Sequence, residues 1–272
     1  VYKRQVLCCT PTEYRMMAKL SNLDKYDIHH LHSAVSAGEP LNKEVVNQFE
    51  AHFGLTVRDG YGQTESTLLI GFLKDTKPRP GSMGKAIPGS DTTVVDDEGR
   101  QVAPGVKGNI GVPLDLPALF KGYYKDEART KAAHAGKYYI TGDLAHIDED
   151  GYFSFEGRSD DIIISSGYTI GPFEVEDALT HHPAVKECAV VASPHEIRGN
   201  IVKAFVILNE GYKASDDLVK TLQDFTKKTV APYKYPRAIE FVEDLPKTNS
   251  GKIRRVELRD AERQKYNQQF KQ

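Results

Sequence analysis

Lys252 stands directly after Gly251 in "EDLPKTNSGKIRRVEL", near the end of the chain. Strand-like sequence precedes it and helix-like sequence follows it. An ammonium on a glycine turn is a compact, mobile point charge. Three other segments hold groups that could do chemistry. In "DGYGQTE" (59–65), two glycines let the backbone come close to a ligand. The Thr64 hydroxyl and Glu65 carboxylate there suit a phosphate and its Mg²⁺. In "YYITGDLA" (138–145), Asp143 follows a glycine at the end of an apolar strand. A carboxylate in that place can accept hydrogen bonds from a ribose diol. In "GRSDDIIISSGYTIGPFEVE" (157–176), Arg158 could hold a ribose or a phosphate. Taken singly, each segment also reads as ordinary structure: a polar loop, a turn aspartate, a surface ion pair, a solvated lysine.

The elements that must position these groups change in texture along the chain. "LHSAVSA" (31–37) reads as a buried strand. "EPLNKEVVNQFEAHFG" follows with Val45, Phe49 and Phe53 recurring every four residues and Gly54 as a stop, so a helix is expected. "LTVRDGYGQTE" then runs from strand to loop. This βαβ rhythm predicts an α/β layer with ligand-binding loops at the strand ends. From about residue 81, frequent glycines and β-branched runs predict short antiparallel strands, a barrel or small sheet. Asp150-Gly151 is a hairpin signal. After "GRSDD" an α+β unit is expected. It has a helix with Pro172 in its first turn and Val175, Ala178 and Leu179 on one face, and two strands. A helix capped by Ser215 with a Leu218, Leu222 and Phe225 stripe follows, and then a last strand. The boundary is placed at Asp160, giving domains of 1–159 and 160–272.

Bulk properties narrow the function classes. The 272 residues are enough for one large domain or two ordinary ones. Apolar residues make up 39 % and charged residues 27 %, the texture of a globular chain. A net charge of −2 argues against nucleic acid as a partner. No apolar run is long enough to span a bilayer. No signal peptide is visible, and the chain does not begin with Met. Cys8, Cys9 and Cys188 lack C-x-x-C spacing and read as reduced thiols. "HHLH" (29–32) lacks a partner cluster of metal ligands.

In this order and spacing the segments resemble the C-terminal half of the adenylate-forming (AMP-binding) acyl-CoA synthetases, most nearly the medium-chain branch. "CTPTEYRMM", "SAGEPL", "DGYGQTE", "GSMGKAIPG", "GYYKDEART", "YYITGDLAHIDEDGYFSFEGRSDDIIISSGY", "IGPFEVEDAL", "IRGNIVKAFV", "APYKYPR" and "LPKTNSGKIRR" all carry the likeness, which runs from about residue 6. The resemblance implies a partial large domain, an α/β layer plus a small β-barrel or sheet, followed by a small mobile α+β domain. It implies a two-step reaction. A carboxylic acid attacks the α-phosphate of ATP to give acyl-AMP and pyrophosphate. The thiol of CoA then attacks the acyl-AMP, and the small domain rotates between the steps.

The same resemblance assigns roles by position. Gly38, Glu39 and Pro40 border the adenine. Asp59, Gly60, Tyr61, Gly62, Gln63 and Thr64 line the adenine and phosphates, with Thr64 also near the carboxylate and Glu65 on Mg²⁺. Asp143 binds the ribose hydroxyls and Arg158 assists. Asp160 is the hinge. Ser166, Gly167 and Tyr168 lie along the pantetheine tunnel, and Arg198 and Lys227 meet the nucleotide end of CoA. Lys252 enters the site for adenylation and leaves for the thiol. Gly62 leaves open an acyl pocket that acetate-specific relatives close with an aromatic residue, which favours medium-chain or aromatic acids. The expected location is cytoplasmic, or the mitochondrial matrix if a transit peptide lay upstream.

Two positions depart from the family pattern. Thr169 replaces an arginine common in "SSGYRIG", and Ile164 replaces the polar residue that ends "DDIIN" or "DDIIK". The phosphate loop of the type "TSGTTGxPK" is absent from these residues, so the chain reads as a fragment of a longer enzyme. Two alternatives stay open: an adenylation domain that loads a carrier protein, and a non-catalytic nucleotide- or CoA-binding fragment.

Overall fold

The structure is a computed structural model that describes residues 5–18, 20, 23–41, 43–248 and 251–269. The chain divides into two compact units, Val1–Glu156 and Gly157–Gln272.

The first unit opens with three parallel strands, β1 (Val6–Cys9), β2 (Ser33–Ala37) and β3 (Val57–Gly62). Helices α1 (Pro11–Ala18) and α2 (Lys43–Phe53) connect them. The α2 stripe expected from the spacing is buried: Val45 and Phe49 join Tyr14, Ala34 and Val57 in one cluster, with Phe53 packed against it. Gly54 ends the helix at φ +62°, a left-handed conformation that glycine adopts without strain. β4 (Leu68–Gly71) and β5 (Lys85–Ala86) extend the sheet antiparallel, in the order β1-β2-β3-β4-β5.

A second sheet holds β6 (Thr93–Val95) and β7 (Gly108–Pro113), then α3 (Glu127–Ala132), β8 (His134–Ala135), β9 (Tyr138–Ile147) and β10 (Phe153–Arg158). Its order is β10-β9-β7-β6, with β8 also on β9. β9 and β10 are joined by a turn in which Gly151 N donates to Asp148 O, at the expected hairpin. Leu69 and Ile70 of β4 share a core with Ile110, Val112, Tyr139 and Phe153, so the two sheets enclose one apolar interior. On β9, residues 139, 141, 143 and 145 are buried while 140, 142, 144 and 146 are half-buried. That alternation aims Asp143 inward.

The second unit begins with a small hairpin, β11 (Ile163–Ser165) on β12 (Tyr168–Ile170). Ser166 and Gly167 make its turn at φ +50° and +82°. Helix α4 (Pro172–Thr180) starts on proline at its first position and buries Val175, Ala178 and Leu179. Strands β13 (Val185–His195) and β14 (Gly199–Leu208) pair antiparallel. Helix α5 (Asp216–Thr229) is capped by Ser215, whose side chain accepts from Leu218 N at 3.1 Å. β15 (Ala238–Phe241) lies parallel to β14, and α6 (Arg255–Gln269) closes the unit.

Candidate nucleotide and thiol sites

In the first unit, two motifs meet at one carboxylate. Asp143 is 6 % exposed. Its Oδ2 accepts from the Tyr61 hydroxyl at 2.6 Å and from Gln63 Nε2 at 2.7 Å. Gln63 Nε2 also donates to Thr141 O at 3.0 Å, and Tyr139 donates to Gln63 Oε1 at 3.3 Å. Burial, then the Asp143 charge, push the Tyr61 phenol well above its usual range, so it stays a donor at neutral pH. The result is a carboxylate fixed in orientation by side chains of the neighbouring sheet.

The loop beyond β3 carries Thr64, exposed, and Glu65, half-buried. Glu65 Oε1 accepts from Tyr123 at 3.1 Å, and Glu65 O accepts from Phe120 N at 2.7 Å. Phe120 packs edge-on to Tyr123 and Tyr139, with centroids 4.9 and 5.3 Å away. An aromatic wall thus stands behind the Thr64-Glu65 pair. Tyr123, Tyr139 and Thr141 were not picked out from the sequence. For Tyr139 and Thr141 the signal was there, because both share the buried face of β9 with Asp143.

Gly38, Glu39 and Pro40 follow β2, and Ala37 lies beside Gly60 in the parallel register. Gly38 has φ +98°. Glu39 Oε2 accepts from Thr12 Oγ1 at 2.7 Å and from Arg15 at 3.1 Å, which pins this loop to α1. Asp59, 9 % exposed, shares the α2 side of β3 with Val57. Its carboxylate accepts from the backbone of Gly60 and Leu41. It therefore ties the loop that starts at Gly38 to the segment that starts at Gly60, the two expected around the adenine. Burial pushes this carboxyl up to about 7, against the lowering effect of those two N–H groups.

Gly62 has a reason of its own. A Cβ there would stand 2.1 Å from Thr67 O, at the irregularity where β3 and β4 change register. Only glycine fits that backbone crossing.

In the second unit, Arg158 Nε donates to Asp160 Oδ1 at 3.0 Å. Arg259 on α6 is ion-paired with Asp161 and lies 3.9 Å from Asp160 Oδ2. Ser166 and Arg198 are brought together. Arg198 donates to Ser166 Oγ at 3.0 Å, and Ser166 N donates to Arg198 O at 3.1 Å. Tyr168 stacks on Tyr233, with centroids 4.3 Å apart. Thr169 and Ile164 face each other in the hairpin register, both exposed. Lys227 pairs with Asp224 at 3.0 Å and lies over the Tyr235 ring. Lys252 is exposed on a short hairpin, where Thr248 N donates to Lys252 O at 2.8 Å.

Among the described residues no group of three or more His, Cys, Asp and Glu side chains is arranged to hold a metal ion. None of the described helices is long and apolar enough to cross a membrane.

Comparison with known proteins identifies the family. The family profile for the AMP-binding enzyme matches residues 1–124, and that for the AMP-binding enzyme C-terminal domain matches residues 174–252. The chain is 64 % identical over 263 residues to the uncharacterized acyl-CoA ligase YtcI of Bacillus subtilis (strain 168), covering 97 % of this chain and 50 % of that protein. It is 50 % identical to the mitochondrial acyl-coenzyme A synthetase ACSM3 of Mus musculus, over 94 % of this chain and 45 % of that one. The structure of the anthranilate CoA ligase AuaEII in complex with anthranoyl-AMP superposes with a TM-score of 0.86 at 36 % identity, covering 95 % of this chain and 50 % of that one. A benzoate CoA ligase from Burkholderia xenovorans LB400 gives 0.82 at 33 % identity, covering 95 % and 51 %. This chain belongs to the AMP-binding, adenylate-forming enzyme family. It spans about half the length of the curated relatives it matches.

Proposed function

We propose that the chain is part of an AMP-forming acid–thiol ligase that joins a carboxylic acid to coenzyme A through an acyl-adenylate. The observation that carries this reading is the convergence of "DGYGQTE" and "YITGDLA", 80 residues apart, on the Asp143 carboxylate. A buried carboxylate held by two donors is suited to a ribose diol. Beside it, the glycine-bearing loop offers Thr64 and Glu65 to phosphates.

In the first step a carboxylate oxygen attacks the α-phosphorus of ATP and pyrophosphate leaves. Lys252 neutralises the charge that builds on the carboxylate and α-phosphate oxygens. In the second step the CoA sulfur, having lost its proton, attacks the acyl carbon and AMP leaves. The hairpin turn at Ser166–Tyr168 guides the pantetheine, Arg198 and Lys227 meet the CoA phosphates, and Asp160 is the pivot of the second unit. Glu65 and Thr64 fit Mg²⁺ held largely by ATP, since that ion needs only one or two carboxylates beside phosphate and water oxygens. When bound, the ion supplies neutralisation of phosphate charge. The substrate class that we favour is medium-chain or aromatic acids, supported by similar solved structures whose names include benzoate and anthranilate ligases.

The test is mass-spectrometric detection of acyl-CoA and AMP from ATP, Mg²⁺, CoA and acids from acetate to dodecanoate plus benzoate, using the intact protein and its Lys252→Ala variant. The variant is expected to lose adenylation while still forming thioester from supplied acyl-adenylate. Equal loss of both steps would refute the role given to Lys252. Absence of acyl-CoA with every acid, from folded intact protein, would sink the ligase reading.

A further inference from the structure

The hairpin that carries Lys252 is fastened at both feet. Lys247 and Ile253 form an antiparallel bridge, Lys252 N donates to Thr248 Oγ1 at 3.1 Å, and Arg254 N donates to Pro246 O at 2.8 Å. Leu245 is buried with Ala189, Val191 and Phe205, and Ile253 packs on the same cluster. At the first foot, Lys247 Nζ is 2.7 Å from Glu187 Oε2 on β13.

The second foot is held more rigidly. Arg255, the first residue of α6, donates through Nε to Glu176 Oε1 at 2.9 Å and through a terminal nitrogen to Glu176 Oε2 at 2.6 Å. Glu176 lies on α4, is 7 % exposed, and also accepts from Val190 N at 2.8 Å. A planar guanidinium forked onto a carboxylate that is itself fixed by the sheet permits one orientation. Arg255 lies three residues from Lys252, so this pair sets where α6 starts and where the lysine is presented. Such a bridge is not needed to fill the core, because Leu245 is already buried and Ile253 packs against the same cluster.

We infer that Glu176 and Arg255 are positioning residues for Lys252 in the adenylation step. The inference rests on the role proposed above for Lys252. Glu176→Gln keeps the volume and the acceptor for Val190 N but removes the charge. Arg255→Met keeps most of the stem and removes the fork. Both half-reactions are measured in the intact protein, with octanoate and benzoate as acids, together with amide hydrogen exchange at residues 246–254.

Misplacing a catalytic group by about 1 Å can cost on the order of 100-fold. ATP–pyrophosphate exchange is therefore expected to fall about 10- to 100-fold in Glu176→Gln, while thioester formation from supplied acyl-adenylate changes by less than about 3-fold. The Thr248 and Lys252 amides should exchange faster. Equal loss of both half-reactions would mark the pair as merely structural and overturn the inference. Unchanged adenylation in Glu176→Gln, with adenylation lost in Lys252→Ala, would overturn this inference and leave the Lys252 reading intact. Adenylation that survives Lys252→Ala would overturn both. If Arg255→Met fails to fold, Glu176→Gln and Arg255→Lys carry the test.

Discussion

The hydroxyl of Tyr61, on β3 of the first sheet, donates to the carboxylate of Asp143, on β9 of the second, at 2.6 Å. This bond joins two sheets at the point where the nucleotide is proposed to bind. A hydrogen bond to a charged group contributes about 1.5–3 kcal/mol. Tyr61→Phe leaves the Gln63 contact in place, so the carboxylate loses an orienting donor. The Kd for AMP is expected to rise about 10-fold, with kcat for adenylation changed less. Asp143→Asn removes the acceptor charge and should weaken AMP by about 100-fold. Titration calorimetry on folded variants reads both. AMP affinity unaltered in Asp143→Asn would remove this carboxylate from the ribose site.

Asp59 gives the first unit a pH dependence whose sign follows from burial. Its carboxyl is raised to about 7 in the folded chain, against an ordinary value of 3.8. Between those values the folded state holds the proton that the unfolded state has lost. Stability therefore falls as pH rises through this window and levels off above about 7. The contribution amounts to at most about 1.4 kcal/mol per pH unit. Asp59→Asn keeps an acceptor for Gly60 and Leu41 and has no proton to lose. Denaturant unfolding at pH 5 and pH 8 should show wild type losing stability relative to Asp59→Asn as pH rises. A difference between the two proteins that stays constant with pH would show that Asp59 is ionised throughout.

Much of the scaffold around these residues could be read from side-chain spacing. The α2 stripe of Val45, Phe49 and Phe53, the Gly54 stop and the Ser215 cap are local signals, and the chain obeys them. The site was legible as separate motifs, because glycine loops and turn carboxylates mark themselves. Their partners were not. Tyr123 reaches Glu65 across 58 residues, and no local pattern encodes that approach. Helix α6 was legible as a helix, but its docking face was hidden. It seats Arg255, Arg259 and Glu262 against Glu176, Asp161 and Ser193. A stripe of partly buried charge does not register in an apolar periodicity.

Gly62 separates two explanations for one glycine. An open acyl pocket predicts that small side chains at 62 are tolerated and that larger ones exclude long acids first. The 2.1 Å approach of a Cβ to Thr67 O predicts something else. Gly62→Ala should force the β3–β4 crossing apart and lower adenylation of every acid alike, by about 10-fold or more, since a shift of about 1 Å in a substrate-lining loop is enough. Rates for acetate, octanoate and benzoate in the variant decide it. Octanoate lost with acetate retained would assign position 62 to the pocket wall alone.

Arg198 and Ser166, residues assigned to CoA from separate motifs, are in contact. Arg198 donates to Ser166 Oγ while Ser166 N returns a bond to Arg198 O, so the guanidinium braces a turn at φ +50°. A residue that both braces the thiol-side turn and offers charge to a CoA phosphate should matter in the second step only. Arg198→Lys keeps the charge but loses the planar guanidinium that donates to Ser166 Oγ. The expected result is a KM for CoA raised about 10-fold, with KM for ATP and ATP–pyrophosphate exchange unchanged. Dephospho-CoA supplies the control. If Arg198 meets the ribose 3′-phosphate, the substitution should make little difference to that truncated substrate. An equal rise for CoA and dephospho-CoA would confine Arg198 to bracing the turn, and an effect on ATP would place it in the first step.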